Sequence, residues 1–164
     1  MLGRIYMSTT THTAIGALIG TAVGAPGLGF LLGVASHYLV DMIPHGDAFM
    51  REPNNLVNKP NERLAHLFVF ADVALGVVLL TVLGQFLSND ITRSSVYIAS
   101  IFGSILPDLM VGLNDLFKTT PGRQHTKMHF YFHDFFCREH GDPKLHYALG
   151  AQAIFVIGVV YFLH

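Results

Sequence analysis

Charge is scarce in this chain. Asp, Glu, Lys and Arg make up 13% of its 164 residues, against about 25% in an ordinary soluble domain. Hydrophobic residues reach 51% and the mean hydropathy is +0.46. That balance excludes a disordered chain. It also argues against a cytosolic domain, whose outer surface needs far more charge. Cysteine is nearly absent as well. Cys137 stands alone, so there is neither a disulfide framework nor a thiolate metal cluster. A basic surplus is missing too, since the net charge is −1, and no electrostatic footprint points to nucleic acid. Histidine is the opposite case, with 10 residues, as many as Lys and Arg together.

The apolar residues fall into long runs. Residues 64–88, 95–117 and 145–163 each come near the roughly 20 residues that cross a hydrocarbon core. The first is interrupted mainly by His66, Asp72 and Gln85, the second by Pro107, Asp108 and Asp115. Buried helices of a soluble bundle are the competing explanation, and the shortage of charge counts against it. Residues 11–43 hold two shorter apolar stretches around Ala25-Pro26-Gly27-Leu28-Gly29, a strong turn signal. This predicts a helical hairpin, with one kinked helix as the alternative. Gly16, Gly20 and Gly24 recur four apart, as do Gly29 and Gly33, a spacing that lets helices approach closely. Arg4 before an apolar stretch has the look of a signal peptide, but Pro26 and the glycines leave no clean cleavage site. The expected fold is an all-α, polytopic integral membrane bundle, a single membrane domain over 1–164. It has about four or five apolar helices, counting the hairpin, and a His-rich interfacial segment at 118–144.

On that topology Arg4, Arg51, Lys59, Arg63, Lys118, Arg123, Lys127, Arg138 and Lys144 share one side, and only Arg93 lies opposite. Positive loops stay cytoplasmic, so the charged face is expected in the cytoplasm of an inner or plasma membrane. The ionisable residues gather at the same end. His12 opens the hairpin, His37, Asp41, His45 and Asp47 close it, Asp72 and Asp108 lie in the flanking helices, and His125, His129 and His133 lie in the long loop. Such groups are costly in a bilayer unless paired, hydrated or bound to metal.

His37 and Asp41 are four apart and share a helix face. Pro44 then ends that helix and lets His45 turn back. Imidazole with carboxylate suits zinc, manganese or iron. The bland alternative is a hydrogen-bonded His–Asp pair. His129 and His133 are also four apart, with His125 one turn earlier, which makes a chelating face. The same helix, with Phe130, Tyr131, Phe132, Phe135 and Phe136, also reads as an amphipathic interfacial element. Asp108 follows Pro107, where the helix is loosened, and is a further ligand candidate. His12 is either a ligand or an interfacial anchor. The chain has no phosphate loop, no GxSxG elbow and no HExxH. A Cys137–His nucleophile and a haem bundle have little in their favour, and the carboxylates beside the histidines favour a harder, hydrolytic metal site.

Thr11-His12-Thr13-Ala14-Ile15-Gly16, Ser36-His37-Tyr38-Leu39-Val40-Asp41-Met42-Ile43-Pro44-His45-Gly46-Asp47 and Leu106-Pro107-Asp108 resemble the YdjM-like group of membrane-bound, predicted metal-dependent hydrolases, over roughly the first two-thirds of the chain. His37, Asp41 and His45 are also similar to a zinc-ligand stretch of bacterial zinc-dependent phospholipase C. There a His-x-x-x-Asp helix and a further histidine hold zinc beside a phosphodiester. A later His-x-x-x-Glu pair of that family has its nearest match at His129 and His133, with histidine in place of glutamate. The resemblance implies a hydrolase. Residue types and spacing alone imply a membrane metal site.

The expected function is metal-dependent hydrolysis of a phosphoester in a lipid or lipid-linked substrate at the cytoplasmic face. One or two divalent ions, zinc first and manganese or iron next, are held by His12, His37, Asp41, His45, Asp108, His129 and His133. Asp47 or Asp72 serves as general base, and Arg51 or Arg123 contacts phosphate. The lipid bilayer is the expected surrounding, nucleic acid is not a partner, and an oligomer or larger membrane complex is left open. Two other classes remain. A metal or proton carrier requires polar residues through the whole bilayer, whereas the far halves of 64–88 and 95–117 hold little beyond Thr81, Gln85 and a few serines. A non-catalytic accessory subunit requires stability independent of metal.

Overall fold

The computed structural model describes residues 8–46, 62–85 and 90–163, and every regular element among them is a helix. In chain order these are α1 (Thr9–Ala22), α2 (Pro26–Asp41), α3 (Glu62–Gly84), α4 (Ile91–Phe117), α5 (Thr120–His133), the single turn α6 (Cys137–His140) and α7 (Leu145–Leu163). Val23, Gly24 and Ala25 turn α1 into α2, and Pro26 opens α2, where its missing N–H costs nothing.

Caps set the helix starts. The Asp90 carboxylate accepts from the N–H groups of Thr92 and Arg93, so α4 begins before the apolar run at 95. Thr119 caps α5 through the Gly122 N–H. The α1 start takes help from another helix. Asp72 of α3 accepts from the Ser8 hydroxyl at 2.5 Å, the Thr9 N–H at 2.6 Å and the Thr10 hydroxyl at 2.8 Å. The first turn of α1 has no acid of its own, and Asp72 supplies the negative charge a helix N-terminus favours.

α4 is the axis of the molecule. α1 and α2 make the most extensive contacts of the fold against it, and α3 and α7 lean on α1. Glycine permits that closeness. A Cβ on Gly16 would stand 2.6 Å from the Ile101 Cα, and one on Gly20 would stand 2.8 Å from the Tyr97 Cα. From α2, Gly29 meets Ser100 and Gly33 meets the backbone of Ser100 to Ser104. A small apolar core of Ala14, Ala17, Leu79, Leu83, Tyr97, Ile101 and Val159 joins α1, α3, α4 and α7. Outside it the surface is strongly apolar. Leu31, Phe70, Leu75, Ile98, Ile154, Ile157 and Phe162 are all exposed.

Two helical stretches, Ile91–Asn114 and Leu145–Leu163, are long and apolar enough to cross a membrane. The apolar part of α3 is shorter, Phe70–Gly84. α1 and α2 have 14 and 16 residues, and at about 1.5 Å per residue neither spans a core of about 30 Å upright. Among the described residues the expected four or five spans therefore reduce to two helices that meet the measure of one.

Candidate metal centre

One end of the bundle is polar inside. His12, His37, Asp41, His129 and His133 are fully buried and His45 nearly so. α1 delivers His12, α2 delivers His37 and Asp41 one turn apart, α4 delivers Asp108, and α5 delivers His129 and His133. Pro107 gives no N–H to the α4 ladder and disturbs the turn before it. In that turn the Ser104 carbonyl accepts from His37 Nδ1 at 2.8 Å.

That hydrogen bond decides the tautomer. A carbonyl only accepts, so Nδ1 carries a proton, and in the neutral ring Nε2 keeps its lone pair. Yet Nε2 lies 3.1 Å from Asp41 Oδ2 and 3.7 Å from Asp108 Oδ1. His129 Nε2 is 3.5 Å from each of the same two oxygens. His37 Nε2, Asp41 Oδ2 and both Asp108 oxygens are buried without a hydrogen-bond partner among the described residues. Acceptors facing one another in a dry interior repel unless a cation lies among them. A single proton would serve one pair, whereas these atoms form a group of four. Ligand atoms of a tetrahedral site with bonds of about 2.0–2.2 Å lie about 3.3–3.6 Å apart; the four nitrogen–oxygen separations here run from 3.1 to 3.7 Å, and all four atoms lie within 4.8 Å of one another. His37, Asp41, Asp108 and His129 together fit a divalent ion.

Burial pushes the His129 imidazole down to about 3, which leaves the ring uncharged and its electron pair available in neutral water. His125 is lowered as well, by burial and then by His37. Its Nε2 is 3.1 Å from the Tyr38 hydroxyl.

His12 stands beside the group of four. Its Nε2 is 3.0 Å from Asp41 Oδ1, the oxygen turned away from the group of four, and its ring stacks on His37 with centroids 4.1 Å apart. The Ser104 hydroxyl donates to the His12 carbonyl at 2.6 Å. Ser104 thus holds His37 through its carbonyl and α1 through its hydroxyl, and His12 holds Asp41. Such partners behind the ligands fix their orientation. Nothing about a buried serine in an apolar run distinguished Ser104 in the sequence. The helical spacing of Ser100 and Ser104 was the only available sign.

His45 and His133 stand next to this group and outside it. Their rings are 4.6 Å apart and edge to face. Asp72, expected as a general base, is engaged by Ser8, Thr9 and Thr10, and its hydrogen bonds describe a helix cap. Asp47 and Arg51 lie outside the described residues. Arg123 donates to the Thr120 hydroxyl at 3.0 Å on the surface.

The geometry has no counterpart to lean on: no protein-family model, curated protein or solved structure matches this chain.

Proposed function

We propose that the chain is a membrane-embedded, metal-dependent hydrolase that cleaves a phosphoester of a lipid or lipid-linked substrate at the cytoplasmic face. The observation that carries this reading is the meeting of His37 Nε2, Asp41 Oδ2, Asp108 Oδ1 and His129 Nε2 within 4.8 Å of one another. Zinc suits two imidazoles and two carboxylates. A bound divalent ion would lower the pKa of a water and offset phosphate charge.

The chain's own residues supply the rest. Ser104 and His12 orient His37 and Asp41. Asp108 points one oxygen at the ligand group and keeps Oδ2 to orient and deprotonate the attacking water. The apolar exterior of α4 and α7 supports a lipid surrounding, and the nine-to-one bias of basic residues along the topology expected from the sequence supports a cytoplasmic site. A carrier is less well supported, because the layer beyond the site is the apolar core of Ala14, Ala17, Leu79, Leu83 and Val159.

The test is metal content of detergent-purified protein by plasma mass spectrometry, beside the His37→Ala/Asp41→Ala double variant. At least about one equivalent per chain, lost in the variant, is expected. Product release from phospholipids and lipid phosphates in mixed micelles should then be abolished by chelator and restored by metal. No metal in protein purified without chelators would overturn the reading and favour an accessory subunit.

A further inference from the structure

Two buried histidines at the polar end are not used by the group of four. His133 follows His129 by one turn of α5, with ring centroids 5.9 Å apart. His45 follows the end of α2, on a segment that is firmly held. Its Gly46 N–H donates to the Asp142 carboxylate at 2.7 Å, and Gly46 sits at φ +85 against Leu145 and Ala148 of α7.

The two rings share a feature with His37. His45 Nδ1 is 2.8 Å from the Ile43 carbonyl, so Nδ1 must be the donor. His133 Nδ1 is 3.2 Å from the Asp134 carboxylate, again an acceptor. In each ring Nδ1 carries a proton that is already placed, and Nε2 is the nitrogen with an electron pair to give. A histidine tied through one nitrogen to a carbonyl or carboxylate is the usual arrangement of a metal ligand. Two such rings lie buried 4.6 Å apart, and imidazole nitrogen is a common ligand of divalent transition metals.

We infer that His45 and His133 hold a second divalent cation beside the first, so that the polar end is a two-metal centre. α5 then serves both positions, His129 the first and His133 the second. Among the described residues the second position holds two imidazoles, and coordination places remain for water or for phosphate oxygens. Paired ions of this kind clamp both the attacking and the leaving oxygen in phosphoester cleavage. The inference rests on the metal reading above and deepens it.

The experiment is equilibrium dialysis of the chelator-stripped full chain in detergent against manganese(II), with bound metal counted by plasma mass spectrometry. About two ions per chain are expected in the unaltered protein. His45→Ala and His133→Ala should each lose about half of that metal while His37→Ala removes the other half. Electron paramagnetic resonance of the manganese-loaded unaltered chain should show a coupled pair, a readout that needs no variant to fold. About one ion in the unaltered chain with an uncoupled spectrum overturns this inference alone. Two ions that persist in both His45→Ala and His133→Ala also overturn it. No bound ion overturns the metal reading itself.

Discussion

His12 shows how much one hydrogen bond decides. It is fully buried and has the chemistry of a ligand, but its Nε2 faces the outer oxygen of Asp41. Residues in that place typically change metal affinity about 10–100-fold when replaced. His12→Gln should therefore weaken binding by about that factor, measured by competition with a chromophoric chelator, while the number of bound ions stays the same. Loss of a whole equivalent would make His12 a ligand, and no change would remove it from the site. His129 adds a pH dependence. Unfolded, its ring takes a proton near the ordinary 6.5, and folded only near 3. Between those values the unfolded chain binds more protons, so stability is complete above 6.5 and falls as pH drops toward 3. Thermal melts of metal-free protein across that range should show the fall, and His129→Gln should flatten it. A slope unchanged by the substitution would assign the acid sensitivity to other groups.

At the scale of the helix, closeness between backbones is what brings the ligands together. Gly16 lies one turn after His12 and Gly33 one turn before His37, and both press on α4. Gly16→Ala should destabilise the bundle by about 1–3 kcal/mol through overpacking and should weaken metal binding, because α1 can no longer seat against Ile101. Gly24→Ala and Gly112→Ala, where a Cβ meets nothing within 4 Å, should melt like the unaltered protein. Equal melting temperatures for all three would overturn this account. Much of the element layout is visible in residue order. The turn around Pro26 does separate two helices, and His37/Asp41 and His129/His133 do lie one helical turn apart. The rest depends on partners distant in sequence. Asp72 looked like a lone membrane carboxylate because its partners, Ser8 to Thr10, lie in another helix. Gly24 shared the four-residue rhythm of Gly16 and Gly20, yet the turn carries it away from α4. Ser104 carried no local sign beyond its spacing from Ser100, since its role arises only when α1 and α2 cross α4 at the same level.

Among the described residues the bundle is polar inside at one end and strongly apolar over much of its surface. Its orientation can be read with Cys137, the sole cysteine, on the turn after α5. In membranes carrying the full chain, an impermeant maleimide should label Cys137 in inside-out vesicles and spare it in right-side-out ones. A Ser94→Cys reporter in a Cys137→Ser background should give the opposite pattern. Labelling of Cys137 from the outside would reverse the orientation drawn from the basic residues.

The ligand set also has an order in time. Chains emerge from the ribosome N-terminus first, so α1 and α2 bring His12, His37 and Asp41 out long before α4 and α5 supply Asp108 and His129. Until then the nascent hairpin holds an incomplete cage around one carboxylate, with its glycine face uncovered. On the metal reading proposed above, capture would be a late event of biogenesis, after α5 has folded back over α2 and α4, and a chain truncated before residue 120 should insert without acquiring an ion.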